Sequence, residues 1–147
     1  MSAERKSTMA MKVEKIDIWV GEVRDEAGGL AAALAPLVAA GVDFSFVIST
    51  RRPEKPGTGA VYLGGLRGAK QKKAAEVAGL VKSEDAHGLR VIATDKPRLL
   101  HRVTSELASA GINLRSISAS VAKSRCVMIF AFDAADDRDK AAKLLGK

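Results

Sequence analysis

Two short stretches, Asp25-Glu26-Ala27-Gly28-Gly29-Leu30 and Asp95-Lys96-Pro97-Arg98-Leu99-Leu100, each stand in front of an apolar helix. The first turn of a helix leaves backbone amides unpaired and carries partial positive charge, which suits a carboxylate. Asp25, Asp95 and the later Asp43 supply acidic groups for an ammonium, and Asn113 adds a side-chain amide at the start of a strand. Plainer uses stand beside these. Asp25 and Asp95 serve equally as helix caps, Asn113 as a turn residue, and Gly41 and Gly111 as helix stops.

The elements that must hold these residues occur twice, 70 residues apart. Asp25/Asp95, Leu30/Leu100, Leu37/Leu107, Ala40/Ala110 and Gly41/Gly111 are identical, and Val42/Ile112 and Asp43/Asn113 are conservative. These positions are the turn, the core face of the helix and its stop, so a repeat organises the chain. In the first copy Ile16, Ile18 and Val20 alternate as a strand. Leu30, Leu34, Leu37 and Val38 follow at helical spacing, with Pro36 expected to kink or distort that helix. Phe44, Phe46 and Ile48 predict a second strand, residues 60–63 a third, residues 70–78 a helix, and Leu80 and Val81 a short fourth strand. The second copy reads as a strand at 89–94, a helix with core face Leu100, Val103 and Leu107, strands at 112–121 and 126–132, and a last helix opened by Asp136 and Asp137. The run 127–132 is apolar throughout, which predicts a central strand covered on both faces.

The expected fold is therefore α+β: two ferredoxin-like βαββαβ units, antiparallel sheets with helices on one face. The last strand of the second unit is missing, leaving an edge open to a partner strand. The expected division is a disordered tail at 1–12, a first domain at 13–86 and a second at 87–147.

Composition narrows the chemistry. The chain of 147 residues is 47% apolar and 28% charged with only 4% aromatics, so its cores are aliphatic. The net charge of +7 suits acidic ligands, anionic surfaces or nucleic acid, or only a soluble lysine-rich surface. One cysteine, Cys126, excludes a disulfide framework and a thiolate metal site, and fits a reducing cytoplasm. Residues 1–12 lack the apolar stretch of a signal peptide, and no segment approaches a membrane span. His87 and His101 have no metal-ligand constellation around them and read as surface residues, with a ligand role for His101 as the alternative. The acidic residues 133–139 read as a helix start, and Gly57-Thr58-Gly59 and Gly64-Gly65-Leu66-Arg67-Gly68 as turns rather than phosphate loops. No catalytic constellation, metal site or cofactor motif can be assembled, so a non-enzyme without cofactors is expected.

With both turns in order, the sequence resembles a tandem pair of ACT domains, small regulatory modules that bind amino acids. The hallmark turn is matched by 95–100, and the sequel by Ala110-Gly111-Ile112-Asn113-Leu114 and by Ile117-Ser118-Ala119-Ser120. The first copy matches at 25–30 and at Ala40-Gly41-Val42-Asp43-Phe44. The turn glycine is present as Gly28 but replaced by Arg98, and the turn proline is present as Pro97 but replaced by Ala27. The resemblance implies a small amino-acid ligand held between modules. The implied ligand residues are Asp25, Ala27, Gly28, Gly29, Leu30, Val42, Asp43, Asp95, Arg98, Leu99, Ile112 and Asn113, with the first turn favoured because Gly28 and Gly29 permit close backbone approach. Arg98 either intrudes on the equivalent space or grips a carboxylate. The implied function is regulatory, through a partner in amino-acid metabolism, with a homodimer expected. The alternatives are a basic nucleic-acid-binding module, disfavoured by the scarcity of aromatics, and a purely structural oligomerisation subunit.

Overall fold

A computed structural model describes residues 11–146. The chain divides into two units, one of residues 17–83 and the other of the N-terminal strand with the residues from Glu84 onward.

In the first unit the order is β2 (Trp19–Arg24), α1 (Gly29–Ala39), β3 (Phe46–Arg51), β4 (Thr58–Gly64), α2 (Gly68–Val77) and β5 (Val81–Lys82). In the second it is β6 (His87–Thr94), α3 (Leu99–Ser109), β7 (Ser116–Ala122), β8 (Arg125–Phe132) and α4 (Ala135–Leu145), with β1 (Met11–Ile16) joining from the N-terminus. The sheets run β3-β4-β2-β5 and β7-β8-β6-β1, and every neighbouring pair is antiparallel. This is the expected α+β repeat, with one correction. The second sheet does not lack its last strand: β1 fills the place that β5 fills in the first, with Met11 opposite Ala93 and Ile16 opposite Gly88. Met11 and Lys12 are thus strand rather than tail, while residues 1–10 lie outside the described residues. Ile16, Ile18 and Val20 do not share one strand either. The chain leaves one sheet at Ile16 and enters the other at Trp19.

Each unit buries its own core beneath its helices. In the second, Leu89 and Val91 of β6 and Met128, Phe130 and Phe132 of β8 pack against Leu99, Val103 and Leu107 of α3 and Ala141 and Leu145 of α4. The other face of β8 also buries Ile129 and Ala131, as an apolar central strand should. In the first, Trp19, Val23, Val61 and Leu63 pack against Leu37 and Ala75. Helix α1 continues through Pro36 to Ala39. Pro36 is exposed, so the carbonyl it leaves without a donor is close to water. Leu30 and Leu100, expected on the core faces of their helices, are instead exposed, 37% and 41%. At the second helix the core position belongs to Leu99.

Candidate functional site

The two displaced leucines mark equivalent cavities, one in each unit. Each lies between the turn after the unit's first long strand, the N-terminus of the following helix and the end of an edge strand. The first, about 240 Å³, is lined by Val23, Arg24, Asp25, Glu26, Leu30, Ser49, Thr50, Arg51 and Gly59. The second, about 320 Å³, is lined by Asp95, Lys96, Arg98, Leu99, Leu100, His101, Ala119, Ser120, Val121 and Cys126.

The turns are built alike. Asp25 donates its backbone N–H to Gly57 O at 3.0 Å, and Asp95 donates to Ser124 O at 2.7 Å. The helix caps are Gly28 and Arg98, both left-handed with φ of 85° and 66°, and neither makes a side-chain capping bond. The aspartates are therefore not the caps. The Gly29 and Leu99 amides donate to Glu26 O and Lys96 O. The next two amides of each helix, Leu30 and Ala31 in one and Leu100 and His101 in the other, have no backbone acceptor among the described residues. These amides form the kind of positive end that a carboxylate occupies.

The electrostatics then diverge. In the first cavity the Arg51 guanidinium donates to Asp25 through Nε at 2.6 Å and Nη2 at 3.4 Å. That bond and the aspartate's charge raise the pKa of Arg51. The position equivalent to Arg51 is Val121, and Asp95 has no ion pair among the described residues. Beneath it the Cys126 thiol is pushed above its ordinary value, first by burial and then by the Asp95 carboxylate.

Of the twelve residues the resemblance implied, Asp25 and Leu30 line the first cavity, and Asp95, Arg98 and Leu99 line the second. Ala27, Gly28 and Gly29 form the turn beside the first cavity without lining it. Gly29 is buried and a Cβ there would fall on the Arg24 carbonyl oxygen, whereas Gly28 faces open space. Val42 and Ile112 are buried core residues, and their neighbours Asp43 and Asn113 are exposed. All four follow the far ends of α1 and α3, helices of 11 residues and so roughly 16 Å long. The structure does not bring them to the cavity of their own unit. Among the residues not foreseen are those of the edge strands, Ser49, Thr50 and Arg51 and their counterparts Ala119, Ser120 and Val121, together with Cys126. The same 70-residue offset that aligned the turns pairs them.

Phe130 and Phe132 are fully buried and stacked on each other, ring centroids 6.0 Å apart, so neither offers a face to a base. Among the described residues no group of three or more His, Cys, Asp or Glu could hold a metal ion, and no helix is long and apolar enough to cross a membrane.

Two units of this topology define a tandem ferredoxin-like α+β protein. Residues 87–147 match the ACT domain family. The second unit therefore carries an ACT-domain match from β6 onward, and the first repeats its strand and helix order in a tandem ACT-like arrangement. No curated protein sequence matches the chain. Among solved structures, a protein from Bacteroides thetaiotaomicron is similar over 89% of this chain and 88% of its own, with a TM-score of 0.72 and 11% identity. The ligand-free regulatory subunit of aspartate kinase from Thermus thermophilus is similar over 92% and 93%, with a TM-score of 0.63 and 14% identity. Aspartokinase III of E. coli in complex with lysine and aspartate is similar over 92% of this chain and 32% of its own, with a TM-score of 0.55 and 13% identity. At these identities the likeness is one of fold.

Proposed function

We propose that this chain is a non-catalytic, cytoplasmic regulatory protein that binds a small α-amino acid in the cavity of its second unit. The observation that carries this reading is the Asp95 carboxylate, without an ion pair among the described residues, lining the same cavity as the open N-terminus of α3. An α-amino acid presents the matching pair of charges: its ammonium to Asp95, its carboxylate to the Leu100 and His101 amides and to Arg98. In the first cavity Arg51 already occupies the aspartate. This reverses the preference for the first turn that its glycines suggested. The similarity to an aspartate kinase regulatory subunit, and to an aspartokinase solved with lysine and aspartate, supports a regulatory role with an amino-acid effector. The signal passes to a metabolic enzyme or to a second copy of the chain. It requires that the ligand favour one conformation over another.

A thermal-shift screen against the twenty amino acids tests the reading. A ligand at 100 times its dissociation constant is expected to add about 2.7 kcal/mol to the unit that holds it. Asp95→Asn is expected to remove that gain while Asp25→Asn leaves it. A flat response to all twenty in the wild-type chain would sink the proposal.

A further inference from the structure

The second cavity differs from the first in its floor as well as its rim. Val121 lies opposite Cys126 and Ala119 opposite Met128 in the β7–β8 ladder. Alternation along the pair therefore turns Ala119, Val121, Cys126 and Met128 to the face that carries the core and α3. Leu99 and Leu100 form the wall against them, and the charged residues Asp95, Lys96 and Arg98 come from the turn. The first cavity has Ser49 and Arg51 at the positions of Ala119 and Val121.

Resting on the amino-acid reading above, we propose that the second site selects amino acids with an uncharged aliphatic or thioether side chain. The α-ammonium and α-carboxylate satisfy Asp95 and the helix end, so the side chain is left to meet Ala119, Val121, Cys126 and Leu99. None of these four side chains donates or accepts a strong hydrogen bond. A second charge gains no partner from these four side chains, whereas a methylene group gains by covering Ala119 and Val121, both of which are exposed. At about 320 Å³ the cavity is at the small end of ligand pockets, roughly 300–1,000 Å³. That size suits a single amino acid better than a nucleotide. Ala119, the smallest residue of the floor, leaves the room that a branched side chain fills.

Calorimetry on the full chain with valine, leucine, isoleucine, methionine, lysine, arginine, aspartate and glutamate decides the matter. The expected result is dissociation constants for one or more of the first four at least tenfold below those of the last four. Val121→Arg, which copies the first unit, is expected to weaken binding more than tenfold. Asp25→Asn, in the first cavity, is expected to change it less than threefold. Preference for lysine, arginine, aspartate or glutamate, or indifference among the eight, overturns this inference and leaves the amino-acid reading standing. No binding by any of the twenty overturns both. Should Val121→Arg fail to fold, Val121→Ala takes its place: the enlarged floor is expected to shift preference toward the longer side chains, and an unchanged order of affinities counts against the proposal.

Discussion

Gly28 and Gly29 are adjacent in sequence, yet a side chain would meet open space at the first and a clash at the second. Gly28 takes a left-handed conformation with open space around it, and its counterpart Arg98 shows that a side chain can follow that path. Gly28→Ala is expected to cost about 1 kcal/mol, the penalty of the left-handed region alone. Gly29→Ala sets a methyl on the Arg24 carbonyl oxygen, and the backbone must move. Its expected cost is about 3 kcal/mol, in the range of other enforced clashes, and urea denaturation of the two variants measures the difference. Cys126 gives a pH dependence. Its folded pKa is raised above the ordinary 9.0, chiefly by burial. The stability tied to the neutral thiol is therefore fully present below the unfolded value and is lost as the pH rises through the folded one. As the pH rises past 9.0 the second unit is expected to lose stability that a Cys126→Val variant retains. Identical slopes in wild type and variant would contradict this.

Among the elements, β1 shows most plainly what sequence can and cannot say. Its residues Met11 to Ile16 carry three charges and too little alternation to stand out, and the strand belongs to a sheet whose other members begin some seventy residues later. Local periodicity cannot report a partner so distant. The strand nevertheless contributes Met11 and Val13 to the second core, and Lys15 ties it to Asp139 of α4 at 2.9 Å. Val13→Asp is expected to destabilise the second unit by about 2 kcal/mol, with loss of hydrogen-exchange protection in β6. The elements with strong periods were legible: α3 through Val103 and Leu107, β8 through its unbroken apolar run, and the turns through the repeat. Leu30 and Leu100 were misread because a helical wheel places them on the apolar stripe. At a helix's first turn that stripe overhangs the sheet edge, and there it lines a cavity instead. The cavity's other wall is set by which strand ends beside the turn, a tertiary fact that spacing alone does not carry.

For the whole molecule, the repeat and the division into units do not coincide with the order of the chain. The unit of residues 17–83 holds all its strands within one continuous segment, while the other unit straddles it. Residues 17–83 expressed alone are expected to unfold cooperatively in urea. Residues 84–147 alone, with the β6 edge uncovered, are expected to be less stable and to self-associate. Scanning calorimetry and sedimentation of the two fragments check this, and a well-behaved 84–147 fragment would contradict the role given to β1.

The straddling arrangement also sets a timetable for the nascent chain. Met11 to Ile16 leave the ribosome first but have no partner until β6 has been made, after the whole of residues 17–83. At about 5–20 residues per second the strand waits several seconds, while the inserted unit can already collapse on contacts close in sequence. Closing the β1–β6 pair is then the long-range step, and long-range pairings are slow. Refolding from denaturant should accordingly show a fast phase from the insert and a slower one from the unit whose sequence flanks it. In the cell, the interval before β6 arrives is when an unpaired Met11–Ile16 strand is open to capture by other chains.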